Sequence, residues 1–409
     1  MTNKVRLIHS IALTFFFLVS GSAADPGPYS AIDRHALAAP RSAEASIESL
    51  ARYLAKSCRN DSEKARAIYR WVAANIRYDT KAYFSGRVRS SGAAGALKNR
   101  TAVCEGFSSL FEALGKAAGL EVVTVSGWAR GYGSAAGEPI RGGPDHAWNA
   151  VRINGRWKLV DPTWGGGVLD EAGKYVRRFD EYFFFTPPEK LIATHFPEDA
   201  AWQLLDPAVT RAQFDNRPFI RPAFFRFGLE TASHGNCRIE AADTVLVTLA
   251  ARVGTVVLAR LLASGTESSL DPGYTFSQRQ GENLLVRAAF PKSGDYILRI
   301  FAKNASDSGP AEWAVDYRIR AQRRSAQRFV FPETYQGFME HGAFLAAPLS
   351  GRLRSGTGIP FRLAVPGAEE VMVDMGKSFR LLERKGEWFE GAVRALPGEI
   401  TVYAKFPGE

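Results

Sequence analysis

The stretch Asp145–Trp164, DHAWNAVRINGRWKLVDPTW, contains two strand-like runs on either side of a turn. Apolar and polar residues alternate over residues 148–153, and a second β-rich run covers residues 157–160. Asn154-Gly155 between the two runs is a typical dipeptide for a two-residue hairpin turn. The pattern therefore predicts an antiparallel hairpin whose open end carries His146 at one side and Asp161 at the other.

An amphipathic helix is predicted upstream of this hairpin, beginning at Cys104. Its apolar stripe recurs at helical spacing and comprises Phe107, Leu110, Phe111, Leu114 and Ala118. Gly119 is suited to the C′ position that ends a helix. The thiol of Cys104 would thus lie in the first turn, where the helix dipole and the free N–H groups favour a thiolate.

Two more helices are predicted before Cys104, and a loop after its helix. The first covers about residues 42–58, and the second runs from Asp61, as N-cap, to near Tyr78-Asp79. A β-rich run over residues 121–125 precedes a Gly-rich loop over residues 131–144. Helices followed by an antiparallel sheet predict an α+β domain.

The C-terminal half has a different pattern. Beyond about Leu229, short β-rich runs recur between turn residues, which predicts two small β-sandwiches. The sequence is therefore divided into residues 42–228 as the candidate catalytic domain, 229–320 as one sandwich-like domain and 329–409 as a second, with a basic linker at 321–328 between the sandwiches.

The N-terminus is expected to be a cleaved signal peptide, residues 1–24. Lys4 and Arg6 precede a short apolar run at residues 11–19, and Ser22-Ala23-Ala24 suits cleavage before Asp25. The run is shorter than the about 20 apolar residues that span a bilayer, so no integral membrane segment is expected after cleavage. The chain is expected to be secreted or periplasmic, with residues 25–41 as a linker.

Composition sets outer limits on the function. The 409 residues are 46% hydrophobic and 23% charged, which excludes a collagen, a coiled coil and a fully disordered chain. The net charge of +10 is spread among 42 acidic residues without a basic stripe, so nucleic acid is not an expected partner. Three cysteines, Cys58, Cys104 and Cys237, are too few for a disulfide scaffold; pairing of Cys58 with Cys237 and two buried thiols are equally compatible with the sequence.

Cys104, His146 and Asp161 together suggest nucleophilic catalysis. Each alone has a common structural role: a buried thiol, a packed imidazole, an Asp-Pro turn. Together they supply a nucleophile, a base and a carboxylate that orients the base. The thiolate would attack an amide carbonyl to give a thioester, with the Cys104 backbone N–H as one oxyanion donor.

The motifs around these three residues resemble the transglutaminase-like superfamily. They are AVCEGF at residues 102–107, DHAWNAV at 145–151 and WKLVDPTWG at 157–165. Residues 180–228 are similar, more narrowly, to the kyphoscoliosis-peptidase branch. The resemblance implies a papain-like α+β core, followed here by the two small all-β domains, and a Cys104–His146–Asp161 catalytic triad.

The sequence departs from the animal cross-linking members of that superfamily. Glu105 stands where those enzymes carry Trp after the nucleophile, and no acidic calcium loop is visible. Hydrolysis is therefore favoured over calcium-activated cross-linking. Trp148 and Trp164 are candidate walls of a substrate groove, with core packing as the alternative. The other histidines that follow the predicted cleavage site, His35, His195, His234 and His341, show no metal spacing, so neither a metal nor a cofactor is expected.

The sequence thus predicts a secreted cysteine-dependent amide hydrolase acting on protein or peptide substrates. The β domains would bind a protein or cell-envelope partner. Two alternatives remain open at this point: a non-catalytic scaffold or adhesion protein that works through its β domains, and a transamidase that resolves the same thioester with an amine.

Overall fold

The computed structural model describes residues 2–9, 27–87, 92–170, 172–265, 268–323 and 330–408. They divide into two compact units, one comprising Leu18–Asp215 and the other Met1–Phe17 with Asn216–Glu409. The predicted signal-peptide cut before Asp25 lies outside the described residues, as does most of the basic linker. None of the described helices is long and apolar enough to cross a membrane.

The Leu18–Asp215 unit combines helices with short strands. Its α-helices are α1 (Ser30–Leu37), α2 (Ile47–Ala55), α3 (Asp61–Asn75), α4 (Thr80–Ser85), α5 (Gly92–Asn99), α6 (Cys104–Ala117), α7 (Pro188–Leu191) and α8 (Arg211–Asn216). After a first strand, β1 (Thr2–His9), which belongs to the other unit, its strands are β2 (Arg77–Tyr78), β3 (Thr101–Ala102), β4 (Val122–Ala129), β5 (His146–Ile153), β6 (Arg156–Val160), β7 (Gly167–Leu169), β8 (Tyr175–Arg177), β9 (Phe184–Thr186) and β10 (His195–Pro197).

Helix α6 lies at the centre of this unit. Four residues of its predicted stripe, Phe107, Leu110, Phe111 and Leu114, are each 0% exposed, whereas Ala118 is the half-buried C-cap. Gly115 lets the helix approach β4 closely, because a Cβ there would lie 2.6 Å from Val122 Cγ2. Gly119 follows the helix with a φ of +80°, as the C′ position requires. Truncating one of these buried aromatic or leucine side chains to alanine would cost about 2–5 kcal/mol of stability.

The helix packs on a five-stranded antiparallel sheet of order β10-β4-β5-β6-β9. The predicted hairpin is its β5–β6 pair, and the turn residues Asn154 and Gly155 have φ values of +48° and +76°. Positive φ at both positions is the type I′ geometry that Asn-Gly favours. His146 therefore begins β5, and Asp161 immediately follows β6.

Two local predictions need correction. The proposed linker 25–41 contains α1, and Ile32 and Ala36 of that helix are buried in the domain core. These two residues are spaced by one helical turn, a signal too short to stand out from the surrounding alanines and prolines. Asn60, rather than Asp61, caps α3, because its side chain accepts a hydrogen bond from the Glu63 N–H at 3.0 Å.

In its described residues, the second unit consists of strands with two short α-helices, α9 (Pro222–Arg226) and α10 (Gln336–Glu340), and one 3-10 helix, Pro272–Tyr274. Besides β1, its strands are β11 (Phe219–Ile220), β12 (Glu230–Thr231), β13 (Arg238–Ala241), β14 (Thr244–Ala250), β15 (Thr255–Ala263), β16 (Thr275–Gln280), β17 (Asn283–Ala289), β18 (Gly294–Asn304), β19 (Glu312–Ala321), β20 (Glu333–Thr334), β21 (Phe344–Ala347), β22 (Arg352–Arg354), β23 (Gly358–Ala364), β24 (Glu370–Asp374), β25 (Phe379–Leu381), β26 (Glu383–Lys385), β27 (Trp388–Arg394) and β28 (Glu399–Lys405).

These strands form two pairs of sheets with two separate apolar cores. Sheet β11-β19-β18-β15, with β13 on β19, and sheet β12-β14-β17-β16 contribute to one core. Sheets β20-β1-β28-β24-β25, with β22 on β1, and β21-β23-β27-β26 contribute to the other. Strand β11 pairs with β19, so residues 216–228 belong with the first sandwich, whereas the sequence places them in the candidate catalytic domain.

Strand β1 falls within the predicted signal peptide. It pairs in parallel with β28, where Val5 lies opposite Ile400, and in antiparallel with β22. Cleavage before Asp25 would remove this strand from the mature chain. The cleavage itself stays a prediction.

Candidate functional site

Cys104 is the first residue of α6 and is half-buried. The preceding Val103 has extended backbone, and its side chain makes no capping hydrogen bond. The thiol Sγ lies 4.0 Å from the carbonyl oxygen of Asp145, the residue before His146. The structure thus brings the predicted nucleophile to the start of β5.

His146 and Asp161 form a direct hydrogen bond at the open end of the hairpin. The His146 Nε2–H donates to Asp161 Oδ2 at 2.8 Å. His146 is 8% exposed and Asp161 is 1% exposed, so solvent screens this pair weakly. The three residues predicted from the sequence therefore come together. The Asp161 carboxylate bonds Nε2 of His146, which leaves Nδ1 of that ring to interact with Cys104.

A fourth residue, His195, joins this group and was not predicted as a site residue. It begins β10, which pairs with β4 so that His195 lies opposite Ala129. Its Nε2 lies 3.0 Å from the same Asp161 Oδ2 that accepts from His146. His195 is 1% exposed.

The Asp161 carboxylate is saturated with donors. Besides the two imidazoles at Oδ2, its Oδ1 accepts from the Thr163 N–H at 2.8 Å and from the Trp164 N–H at 3.1 Å. An ionised carboxylate has about four acceptor positions, and all are used here. This explains how a fully buried charge is tolerated next to the hairpin.

Electrostatics hold the His146–Asp161 pair in its ionised form. Burial raises the pKa of Asp161, but the charge and hydrogen bond of His146, together with His195, outweigh it and leave that pKa lowered. Burial likewise lowers the pKa of His146, but Asp161 and then Cys104 outweigh it and raise that pKa to about 10. His146 is therefore an imidazolium at neutral pH.

The possible metal-ligand atoms of His146, Asp161 and His195 lie within 4.8 Å of one another. Two ligands of a tetrahedral zinc ion with bonds of roughly 2.0–2.1 Å lie about 3.3 Å apart. Here both ring nitrogens approach a single carboxylate oxygen at 2.8 and 3.0 Å. These are hydrogen-bond distances, so we assign the group as a hydrogen-bonded cluster.

Trp148 and Trp164 both pack against His146, with ring centroids 6.0 and 5.3 Å away. Trp148 is 1% exposed and offers a substrate almost no surface. Trp164 is half-buried. Substrate contact stays a prediction for both residues, and Trp164 is the better placed.

An exposed aromatic surface lies near the thiol. It is formed by Tyr83, Phe84 and Tyr132, which are 40, 53 and 43% exposed. Phe84 contacts both tyrosine rings edge-on, at 5.1 and 5.6 Å. Burial and then the charges of Asp145 and Cys104 raise the pKa of Tyr83, which shows that this ring lies within electrostatic range of the site.

The other two cysteines lie away from this cluster. Cys58 donates to the Leu54 carbonyl at 3.2 Å, and Cys237 is fully buried against the Asp316 carbonyl at 3.8 Å. None of the three cysteines, all of which lie in the described residues, forms a disulfide.

Comparison with known proteins agrees with the motifs. Residues 48–162 match the transglutaminase-like superfamily, and residues 211–332 match the KY-like, immunoglobulin-like domain. The chain is 32% identical over 256 residues to the kyphoscoliosis peptidase of Mus musculus, covering 62% of this chain and 38% of that protein. It is 32% identical over 267 residues to the kyphoscoliosis peptidase of Homo sapiens, covering 65% of this chain and 39% of that protein.

One solved structure, of a TGase, is 19% identical to this chain and superposes on it with a TM-score of 0.23. The match covers 37% of this chain and 35% of the TGase chain. The chain spans less than two fifths of the length of the two curated relatives, whose alignments cover 38 and 39% of them. The chain nevertheless carries a transglutaminase-like domain followed by a KY-like immunoglobulin-like domain. The predicted resemblance and fold class are confirmed.

Proposed function

We propose that this chain, which carries a transglutaminase-like domain, is a cysteine-dependent amide hydrolase acting on protein or peptide substrates. One observation carries the proposal: a buried imidazole, bonded to a carboxylate at 2.8 Å, lies beside a thiol at the start of a helix. A structural cysteine needs neither a base nor a carboxylate behind that base.

The reaction follows from the proton positions. The thiol proton of Cys104 resides on His146, and the thiolate adds to the substrate carbonyl carbon. The new C–S bond displaces the carbonyl π pair onto oxygen, which accepts a hydrogen bond from the Cys104 backbone N–H. When the C–N bond breaks, His146 returns its proton to the leaving amine.

Water then completes the turnover. His146, now neutral, takes a proton from the water that attacks the thioester, and the carboxylic acid product leaves as the thiolate is restored. Asp161 stays ionised throughout, fixing the ring orientation and stabilising the imidazolium. A primary amine in place of water would make the same thioester yield a transamidated product.

The exposed aromatic surface supports a polypeptide as the substrate. Tyr83 and Tyr132 carry hydroxyls on exposed rings, Phe84 between them is wholly apolar, and the charge of Cys104 acts on Tyr83; this combination suits peptide side chains. The immunoglobulin-like domain supports a further role in binding a protein or cell-envelope partner.

We also propose secretion or a periplasmic location, supported by the basic, apolar and small-residue segments of residues 1–24. N-terminal sequencing of the exported protein tests this location, with Asp25 as the expected first residue.

The test is the rate of Cys104 alkylation by iodoacetamide from pH 4 to 10, followed by peptide mass spectrometry. Wild type is expected to label fast at pH 5, and His146→Ala to lose that fast labelling. His341→Ala is the matched control, because that half-buried imidazole stacks on Phe406 at 3.8 Å in the other unit.

Peptide turnover should be abolished in Cys104→Ala while the chain stays folded. Labelling that rises only near the ordinary thiol pKa of about 8.5, with equal turnover by Cys104→Ala, would overturn the proposal in favour of a non-catalytic scaffold. Incorporation of a labelled primary amine would instead identify a transamidase.

A further inference from the structure

We propose that His195 is a positioning residue of this site. It donates a second hydrogen bond to Asp161 Oδ2, the oxygen that also accepts from His146, and so fixes the orientation of that carboxylate. The inference deepens the proposed function and rests on it. The hydrogen bonds described for His195 reach Asp161 and Thr194, and its ring packs on His146 with centroids 5.2 Å apart, so its effect as a donor passes through Asp161.

The hydrogen bonds of His195 select one tautomer of its ring. Its Nδ1 lies 2.8 Å from Thr194 Oγ1, and its Nε2 lies 3.0 Å from Asp161 Oδ2. A carboxylate oxygen only accepts, so Nε2 must carry the proton. The Thr194 hydroxyl has one hydrogen and two acceptors in reach, the Leu191 carbonyl at 3.3 Å and His195 Nδ1 at 2.8 Å, and in the neutral tautomer it donates to the nearer Nδ1.

The ring is also held by packing. His195 is 1% exposed, and its centroid lies 4.6 Å from Trp164 and 5.1 Å from Trp148. The backbone before it is fixed as well, because the Arg130 N–H donates to the Thr194 carbonyl at 2.8 Å. The imidazole therefore has little freedom to turn away from Asp161.

His195 remains neutral while His146 is charged. Burial lowers the pKa of His195, and the charge of His146 lowers it further, although Asp161 acts in the opposite direction. The ionisable groups around the pair on neighbouring elements are Tyr69, Tyr78, Cys104, Arg130 and Asp145. The Tyr69 hydroxyl donates to the Asp180 carbonyl at 2.6 Å, and burial first and then Asp161 raise the pKa of this tyrosine, so it stays neutral.

A neutral donor on the shared oxygen has a defined consequence. It draws electron density from Oδ2 and so weakens the hydrogen bond and the charge attraction between Asp161 and the His146 imidazolium. Removing the donor should raise the pKa of His146. The upper limb of the Cys104 alkylation profile, where His146 loses its proton, should then move to higher pH.

Two substitutions separate donor loss from loss of packing. His195→Phe keeps an aromatic ring without a hydrogen-bond donor, and His195→Gln keeps a side-chain N–H near the position of Nε2. In a profile extended to pH 12, we expect His195→Phe to move the upper inflection upward by about one pH unit, and His195→Gln to bring it back toward the wild-type value. Equal profiles in the two variants, or a Phe variant like wild type, would reduce His195 to a packing residue.

A measurement on the unaltered chain keeps the inference testable if the Phe variant does not fold. In ¹⁵N-labelled protein, the imidazole spectrum of His195 should show the neutral Nε2–H tautomer from pH 7 to 9. An Nδ1–H tautomer, or titration near pH 6.5, would overturn the proposal. The proposed function fails separately, through slow wild-type labelling of Cys104 at pH 5.

Discussion

Asn149 ties the strand that carries His146 to the helix that carries Cys104. Its Nδ2 donates to the Ser108 carbonyl on α6 at 3.0 Å, and also lies 3.3 Å from the Val123 carbonyl on β4. Asn149 and Ser108 are both 0% exposed. One buried amide thus fixes the separation of the two elements whose ends carry the nucleophile and the base.

Asn149→Ala should therefore weaken both the fold and the site. We expect a loss of about 1–3 kcal/mol of unfolding free energy, the cost of removing a buried hydrogen-bond partner, together with slower Cys104 alkylation at pH 5. Thermal denaturation and labelling rates measure the two effects. Asn75→Ala is the control, because its Nδ2 bonds the Trp71 carbonyl at 2.9 Å within a single helix. Slowed labelling in both variants would contradict a specific role for Asn149.

Thiol labelling of the wild-type chain should be selective. Burial, followed by the charge of Glu63, raises the pKa of Cys58 to about 11. Roughly one Cys58 in ten thousand is then a thiolate at pH 7. Peptide mass spectrometry should find label on Cys104 first, on Cys58 only as the pH approaches 10, and on the fully buried Cys237 only after unfolding. Label appearing first on Cys58 would contradict the prediction.

Asp161→Asn should destabilise the chain in a pH-dependent way. With Oδ1 held by the Thr163 and Trp164 N–H groups, the new amide would point its NH₂ at two imidazole donors. In wild type, the lowered pKa of Asp161 stabilises the fold above its ordinary value of 3.8, and this contribution is lost at lower pH. The raised pKa of His146 stabilises the fold below 6.5, and this contribution is lost as the pH rises toward about 10.

The melting temperatures of wild type and Asp161→Asn should thus differ most between pH 4 and 6.5 and converge toward pH 10. Asp374→Asn is a control, since its carboxylate accepts only a turn N–H, from Gly376 at 2.8 Å, among the bonds described for it. A difference that is constant across pH would mean that the two residues do not form a charged pair.

Phe84→Ala should weaken substrate binding more than turnover. The exposed ring contributes contact area next to Tyr83, and losing such a contact costs about 1.4 kcal/mol, or tenfold in KM. Initial rates on a peptide that wild type hydrolyses measure KM and kcat separately. Phe379→Ala, 66% exposed in the other unit, is the matched control. An unchanged KM in Phe84→Ala would remove the aromatic surface from the substrate site.

The sequence revealed those parts of the site that local patterns encode. The first turn of α6 could be located from the apolar stripe that follows Cys104, and the facing positions of His146 and Asp161 from a turn dipeptide and a strand period of two. The β-rich half was likewise predicted as sandwiches. Each inference depended on residues close together in the chain.

His195 was missed because its position depends on a long-range pairing. It is 34 residues from Asp161, and β10 is only three residues long, so no periodic pattern marks it. Only the pairing of β10 with β4 brings it to the carboxylate. The THFP sequence at residues 194–197 was visible, but without the sheet order nothing connected it to the hairpin.

Arg66 determines how short a fragment can be and still contain the complete transglutaminase-like unit. This arginine is 3% exposed and bonds Asp33 of α1 at 2.7 Å and Glu181 at 2.6 Å. Burial opposes its charge, but the two carboxylates outweigh it and raise its pKa, so the guanidinium stays charged inside the domain. A recombinant fragment started at Ser42, where the sequence suggested the domain begins, would lack Asp33 and leave that cation underpaired. Expression of the isolated unit should therefore start before Ser30.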